Sequence, residues 1–157
     1  MRGNEPVEIL LVEDSPYDAK LTLRALTSHV ANSIHLVRDG AEALDFVFAT
    51  GIYSARDVMN APMLVLLDIK LPKIDGLEVL RRIRGDPRTR AQPIVLLTSS
   101  AEQADIALAY EYHANSYIVK PVDFEQFTNA VRQVGLYWMV LNRPPVAPLA
   151  TLAGDDG

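Results

Sequence analysis

Five short apolar runs, separated by segments of helical length, constrain the fold of this chain most strongly. They are Ile9–Val12, Ile34–Val37, Met63–Leu67, Pro93–Leu97 and Ser116–Val119. Several of them lack the polar–apolar alternation of a half-exposed strand, and this indicates strands that are covered on both faces. Strands that alternate with helices predict an α/β fold, a doubly wound five-stranded parallel sheet with helices on both sides and right-handed crossovers.

The segments between the runs carry helix signals. Ser15 can cap a helix and Pro16 suits its first turn, so a helix is predicted from there to about His29. Further helices are predicted over 41–49, from Gly76 onward, over 101–113, and from about Asp123 as a long last helix. The residues from Arg143 onward are rich in Pro, Ala and Gly. We therefore expect one domain over 7–143 and a flexible C-terminal tail over 144–157.

Composition narrows the possible functions. A chain of 157 residues fits one domain, and the lack of cysteine excludes a disulfide framework, a thiolate zinc site and a cysteine nucleophile. The net charge of −5 disfavours nucleic acid as a partner. The longest apolar run, Leu136–Leu141, is far shorter than the roughly 20 residues that span a bilayer. We expect a cytoplasmic protein that binds neither nucleic acid nor membrane.

Polar residues with related chemistry follow four of the five runs. Glu13-Asp14 follow the first, Asp68 the third, Thr98-Ser99 the fourth and Lys120 the fifth. Ligands of open parallel sheets bind at the carboxyl ends of the strands, so these side chains are expected to converge. Clustered carboxylates need a cation, and oxygen ligands suit Mg²⁺. A carboxylate beside that ion can attack phosphorus, while the ion and a lysine neutralise the transferred group.

Each of these residues, taken singly, has an ordinary structural explanation. Glu13 or Asp14 could cap the next helix, Asp68 could end a strand, Thr98 could be a helix cap and Lys120 a solvated charge. Their joint placement at four strand ends favours the functional interpretation.

The motifs at these positions, together with two more, resemble the receiver domains of two-component response regulators. The matching stretches occur in the order and at the spacing of that family, over about residues 7 to 142: Ile9-Leu10-Leu11-Val12-Glu13-Asp14, Asp39-Gly40-Ala41-Glu42-Ala43-Leu44, Leu67-Asp68-Ile69-Lys70-Leu71-Pro72, Asp75-Gly76, Leu97-Thr98-Ser99-Ser100 and Tyr117-Ile118-Val119-Lys120-Pro121. The resemblance implies a flavodoxin-like (βα)5 receiver with an extended last helix.

The resemblance also implies roles for the residues around the acidic pair. Asp68 is expected to be the phosphoacceptor. Glu13 and Asp14 are expected to hold Mg²⁺ together with Asp68 and the backbone carbonyl of Lys70. The phosphoryl donor would be a phosphohistidine on a sensor histidine kinase. Such a protein is a signalling protein that catalyses only its own phosphorylation and dephosphorylation.

The same family pattern assigns the remaining polar positions. Thr98 is expected to sense the phosphoryl group, Lys120 to bind it, and Tyr117 to act with Thr98 as a conformational switch. The Lys120–Pro121 peptide bond is expected to be cis. The chain departs from the family pattern at His113, which precedes the fifth strand in place of a glycine and would need a left-handed backbone without glycine's freedom.

The last helix offers an interaction surface. Too few residues follow it to form a DNA-binding domain, so the output is expected to be protein–protein contact. An apolar stripe that begins at Phe124 is expected to cover the sheet. The end of the helix is apolar on several sides, which favours homodimerisation or another protein partner at Leu136, Tyr137, Trp138, Met139 and Val140. The long connection over 50–62, the Tyr110-Glu111-Tyr112-His113 run and the aromatic-rich last helix together resemble the single-domain regulators paired with bacterial and cyanobacterial phytochromes. The resemblance implies a bacteriophytochrome as the kinase.

Three other functions share parts of this pattern. A haloacid-dehalogenase-like phosphatase would carry a second Asp where this chain has Lys70. A flavin-binding module would need a phosphate loop after the first strand, where Glu13-Asp14 would repel a flavin phosphate. A receiver-like module that binds partners without phosphorylation is disfavoured by the complete set of Asp14, Asp68, Thr98 and Lys120.

Overall fold

Strands and helices alternate along the whole chain. The computed structural model describes residues 7–27, 31 and 33–143. The strands are β1 (Ile9–Val12), β2 (Ile34–Val37), β3 (Leu64–Leu67), β4 (Ile94–Thr98) and β5 (Ser116–Val119). The helices are α1 (Pro16–Thr27), α2 (Gly40–Phe48), α3 (Gly76–Gly85), α4 (Gln103–Glu111) and α5 (Phe124–Leu136), with a 3-10 helix at Gly51–Tyr53 and a π-helical segment at Tyr137–Leu141.

The five strands form one parallel sheet in the order β2-β1-β3-β4-β5. The central strands β1, β3 and β4 are buried along their whole length, because helices cover both of their faces. Alternate residues of β1 point to opposite sides: Ile9 and Leu11 pack with residues of α1 and α5, whereas Leu10 and Val12 pack with residues of α2 and α3. The predicted doubly wound α/β fold is confirmed.

Some predicted boundaries differ from the structure. Thr98 is the last residue of β4 instead of following it. The predicted end of the first helix at His29 and the predicted flexible tail, 144–157, lie outside the described residues. Among the described residues, no helix is both long and apolar enough to cross a membrane.

The last helix meets the core with part of its apolar stripe. Phe127 and Val131 are buried against the sheet, but Phe124 is 51% exposed. The prediction that Phe124 covers the sheet was therefore wrong: it is the first residue of α5, and the helix reaches the core only from Phe127 onward. In the π-helical segment, Trp138 and Met139 are half-buried against the same core.

The side of the sheet that carries the amino ends of β4 and β5 is held together by Arg84. Its Nε donates to the His113 carbonyl at 2.9 Å, and its Nη1 donates to the carbonyls of Arg90 and Gln92 at 3.0 and 2.7 Å. Its Nη2 donates to Asn115 Oδ1 at 2.9 Å. His113 has a φ of 64°, so it takes the left-handed conformation that the sequence analysis considered for it.

Candidate functional site

Backbone pairing places the carboxyl ends of the strands along one edge of the sheet. Val12 is paired with Leu67, so β1 and β3 end together; Leu67 is paired with Leu96, and β4 continues from there to Thr98. The Asp68 N–H donates to the Val12 carbonyl at 3.1 Å, which continues the ladder one residue beyond β3. The Lys120 N–H donates in the same way to the Thr98 carbonyl at 2.7 Å. The side chains that follow the strands therefore start from fixed backbone positions at one edge of the sheet.

Three carboxylates meet at this edge. Glu13, Asp14 and Asp68 each offer an oxygen, and these oxygens all lie within 4.8 Å of one another. Glu13 and Asp68 are only 3% and 6% exposed, whereas Asp14 is exposed. Burial raises the pKa of Glu13 to about 7; the Lys120 ammonium opposes that rise and the charge of Asp68 adds to it. Crowded, partly dehydrated carboxylate oxygens of this kind fit a hard divalent cation.

A single ammonium group bridges the acidic residues. Lys120 Nζ lies 2.5 Å from Glu13 Oε1, 2.8 Å from Asp18 Oδ2 and 2.9 Å from Asp68 Oδ2. Burial alone would lower the pKa of Lys120, but the hydrogen bonds to Asp18 and Glu13 and the charge of Asp68 outweigh it and raise the pKa. Lys120 therefore carries a positive charge directly against the Asp68 carboxylate.

The Asp68 side chain is oriented by its own loop. Its Oδ1 accepts a hydrogen bond from the Ile69 N–H at 2.7 Å, while its Oδ2 faces Lys120. Behind this loop, Gly76 N–H donates to the Ile69 carbonyl at 2.7 Å. A Cβ at Gly76 would lie 2.0 Å from the Asp68 carbonyl oxygen. Only glycine allows α3 to begin this close behind the Asp68 loop.

The hydroxyl side of the site is linked to α4 and β5 through Ser100. The Ser100 N–H donates to Thr98 Oγ1 at 3.3 Å, and its carbonyl accepts from Tyr117 Oη at 2.8 Å. The Ser100 hydroxyl donates to Asp105 Oδ2, in the first turn of α4, at 2.6 Å. Thr98 is fully buried and Tyr117 is half-buried against the core.

A comparison with known protein families agrees with this arrangement of residues. The family model described as "Response regulator receiver domain" matches residues 9–132, which include all five strands and the polar residues that follow them. The chain belongs to the response regulator receiver family. Receivers of this family are signalling proteins that interact with sensor histidine kinases and bind a divalent metal.

Relatives of this receiver are similar over nearly their whole length. It is 39% identical over 146 residues to the probable methanogenesis regulatory protein FilR2 of Methanothrix harundinacea, covering 92% of each chain. It is 36% identical over 146 residues to the response regulator Rcp1 of Synechocystis, covering 92% of this chain and 97% of Rcp1.

Solved structures agree with this receiver in fold. The phosphorylated cyanobacterial phytochrome response regulator RcpA matches with a TM-score of 0.83 and 36% identity, covering 90% of this chain and all of that one (100%). The Mn²⁺-bound form of Rcp1 matches with a TM-score of 0.81 and 34% identity, covering 88% and 98% of the two chains. The bacteriophytochrome response regulator AtBRR is 48% identical, with a TM-score of 0.67 and coverage of 88% and 99%.

Two features of this receiver differ from what the sequence suggested. The Lys120–Pro121 peptide bond is trans, so the expectation of a cis bond was wrong; a trans bond is the lower-energy form even before proline. Asp18, which no motif singled out, contacts Lys120. Its place in the first turn of a helix that begins at this edge of the sheet is the one sequence signal that could have found it.

Other predicted site residues have clear positions in this receiver. Lys70 is exposed and lines a cleft of about 400 Å³ beside the acidic residues, together with Asp14, Ile69, Leu71, Pro72, Asp75, Leu77 and Asp105. Near the end of the last helix, Leu136, Tyr137 and Val140 are 41%, 50% and 68% exposed. The predicted partner surface is therefore partly exposed and partly committed to the core through Trp138 and Met139.

Proposed function

We propose that this receiver accepts a phosphoryl group from a sensor histidine kinase on Asp68, in a Mg²⁺-dependent reaction. The observation that carries the proposal is the position of Asp68: its Oδ2 lies 2.9 Å from Lys120 Nζ, and it shares a carboxylate cluster with Glu13 and Asp14. One Asp68 oxygen accepts a hydrogen bond from the Ile69 N–H and the other faces Lys120, so both oxygens are held at fixed positions in the cluster. The phosphorylated state of the relative RcpA agrees with this role.

The transfer forms one bond to phosphorus and breaks another. An Asp68 carboxylate oxygen attacks the phosphorus of a phosphohistidine, and the phosphorus–nitrogen bond breaks with its electron pair going to the kinase imidazole. The products are an aspartyl phosphate and a neutral histidine once the imidazole takes up a proton. Hydrolysis by water later regenerates the Asp68 carboxylate and releases phosphate. This receiver supplies the groups for both of these steps, which phosphorylate and dephosphorylate only its own Asp68.

The proposed metal ligands are Glu13, Asp14, Asp68 and the backbone carbonyl of Lys70. Glu13, Asp14 and Asp68 already present oxygens close together. Mg²⁺ bound there would neutralise charge on the transferred phosphoryl oxygens. Lys120 is placed to do the same from the opposite side of Asp68.

Thr98 and Tyr117 are proposed to report the phosphorylation. A phosphoryl group adds negative charge and strong acceptor oxygens, which attract the Thr98 hydroxyl. Because Ser100 connects Thr98 to Tyr117, a shift of Thr98 changes the position of the Tyr117 ring. The signal then leaves as an altered surface of α4, β5 and α5 that another protein reads.

Phosphorylation by acetyl phosphate tests the central step. With Mg²⁺, the wild type is expected to gain one phosphoryl mass that is stable to acid and lost in alkali, with acetate as the leaving group. Asp68→Asn should abolish the gain, whereas the matched change Asp57→Asn, on the α2–β3 connection, should leave it intact. Chelation with EDTA should suppress the gain, and a titration with Mg²⁺ and Mn²⁺ should compare the two metals. Labelling that persists in Asp68→Asn would overturn the assignment, and continuous phosphate release would favour a phosphatase.

The proposed kinase is a bacteriophytochrome, in a phytochrome-type phosphorelay. The support is the similarity to RcpA and AtBRR, which are described as phytochrome and bacteriophytochrome response regulators. Phosphoryl transfer from a purified bacteriophytochrome kinase should be much faster than transfer from a kinase of an unrelated pathway. Equal rates would refute the pairing. We further propose that the protein works in the cytoplasm and does not bind nucleic acid.

The proposed partner surface is the end of the last helix: Leu136, Tyr137, Trp138, Met139 and Val140. The exposed apolar residues in it support homodimerisation, because burial of such a patch is favourable. Sedimentation velocity over a concentration series should show a dimer that Val140→Glu weakens. Ile52→Glu, at an even more exposed apolar residue of the 3-10 helix, should leave the dimer unchanged. A monomer at all concentrations, with and without phosphorylation, would refute homodimerisation.

A further inference from the structure

The proposed function gives Asp18 no role, yet its carboxylate contacts the ammonium group of Lys120. Lys120 Nζ has three N–H donors, and the three carboxylates of Glu13, Asp18 and Asp68 lie within hydrogen-bonding distance of it. The Lys120 side chain is only 7% exposed and that of Asp18 is 29% exposed. Asp18 thus lies between the buried ammonium and solvent.

The three carboxylates on Lys120 differ in what else they serve. Glu13 and Asp68 also belong to the carboxylate cluster that fits a divalent cation, whereas Asp18 does not belong to it. A cation in the cluster would compete with Lys120 for the oxygens of Glu13 and Asp68. Asp18 Oδ2 would then be the partner of Lys120 for which the cation does not compete.

Asp18 is also held in place by its helix. Its N–H donates to the Ser15 hydroxyl at 3.3 Å, and its carbonyl accepts a hydrogen bond from Thr22 Oγ1 at 2.8 Å. It lies in the first turn of α1, which packs against α5. A carboxylate on a helix fixed at both backbone groups is a stable anchor for a flexible lysine.

We propose that Asp18 is a positioning residue that keeps the Lys120 ammonium at the phosphoacceptor while Glu13 and Asp68 serve the metal and the phosphoryl group. This proposal rests on the proposed function of Asp68. It requires that loss of the Asp18 charge affect phosphoryl transfer without a comparable loss of metal binding.

Kinetics and calorimetry separate these two effects. At saturating Mg²⁺, Asp18→Asn should lower the rate of phosphorylation by acetyl phosphate by about tenfold, the effect of losing one charge-assisted hydrogen bond in the reactive complex. The Mg²⁺ dissociation constant from titration calorimetry should change far less. Asp18→Glu should restore part of the rate. Glu102→Gln removes an exposed charge just before α4 and should leave the rate unchanged.

A second measurement reads the lysine directly. Reductive methylation followed by mass spectrometry reports how accessible each lysine is. With Mg²⁺ present, Lys120 in Asp18→Asn should react severalfold faster than in the wild type, whereas the exposed Lys73 should react equally in both.

The outcomes distinguish the two proposals. If the wild type is labelled on Asp68 and Asp18→Asn matches it in both phosphorylation rate and Lys120 reactivity, the role of Asp18 is refuted. If Asp18→Asn lowers Mg²⁺ affinity as much as the rate, Asp18 acts on the metal and the proposal is also refuted. If the wild type is not labelled at Asp68, the proposed function itself fails.

Discussion

The substitution Gly76→Ala should slow phosphorylation strongly while the protein remains folded. The new Cβ would lie 2.0 Å from the Asp68 carbonyl oxygen and 2.8 Å from Ile69 Cα, both of which are backbone atoms that cannot rotate away. Real Cβ contacts essentially never fall below 3.0 Å, so the Asp68 backbone or α3 must move by about 1 Å. Because the clash falls on Asp68, the proposed phosphoacceptor, the displacement is passed to the site directly.

The magnitudes follow from that displacement. Overpacking of this kind costs about 1–3 kcal/mol of the free energy of unfolding. A misplacement of about 1 Å at a reacting centre lowers the rate by roughly 100-fold. Gly76→Ala should therefore remain folded in circular dichroism, unfold at lower urea concentration, and be phosphorylated by acetyl phosphate about 100-fold more slowly.

The same helix provides the control. A Cβ at Gly85, the last residue of α3, meets no atom within 4 Å. Gly85→Ala should leave the phosphorylation rate unchanged and stabilise the protein by up to about 1 kcal/mol, because alanine restricts the unfolded chain. A folded Gly76→Ala variant that is phosphorylated at the wild-type rate would show that the close approach of α3 does not position Asp68.

Three further perturbations test other parts of the molecule. Arg84→Ala should lower the free energy of unfolding by about 2–4 kcal/mol in urea titrations, because three carbonyls lose an Arg84 donor and Asn115 Oδ1 is left with the Ile94 N–H; a loss below about 0.5 kcal/mol would contradict this. Burial lowers the pKa of His35 below its ordinary value of 6.5; the charge of Arg56 adds to this decrease and the charge of Glu42 opposes it. As the pH falls, His35 is therefore protonated in the unfolded chain before it is protonated in the folded protein. The stabilisation from neutral His35 is therefore complete above pH 6.5 and is lost as the pH falls toward the lowered pKa. The free energy of unfolding should differ less between about pH 5 and about pH 7.5 in His35→Phe than in the wild type. An identical difference in the two proteins would refute this role of His35. Ser100→Ala removes the hydrogen bond to Asp105, so amide exchange in the first turn of α4 should accelerate, with unchanged exchange in α2 as the internal control.

The fold was predictable because its signals are local. Each strand is a short, mainly apolar run, and the ends of parallel strands must meet at one edge, so the convergence of Glu13, Asp14, Asp68 and Lys120 follows from topology. The left-handed conformation of His113 was also readable, because a segment that usually carries glycine there must make the same turn.

What the sequence did not reveal depends on side-chain direction and on distant contacts. The contact of Asp18 with Lys120 joins residues 102 positions apart, and it depends on the rotation of α1 about its axis. The exposure of Phe124 depends on how the first turn of α5 packs, which the spacing of apolar residues does not encode. The cluster of His35, Phe46 and Tyr53, with ring centroids 4.8–5.4 Å apart, joins a strand, a helix and a connection that share no sequence motif.

Ser100 has a consequence for how this molecule transmits information. Its N–H, carbonyl and hydroxyl are each bound to a different partner, in β4, β5 and α4 respectively. Because Ser100 is held by hydrogen bonds to three elements, a displacement of one partner must be accommodated by the other two. Under the proposed roles of Thr98 and Tyr117, a change at Asp105 or Tyr117 would alter the output surface while the input at Thr98 stays the same, so that one phosphorylation chemistry would serve different downstream partners.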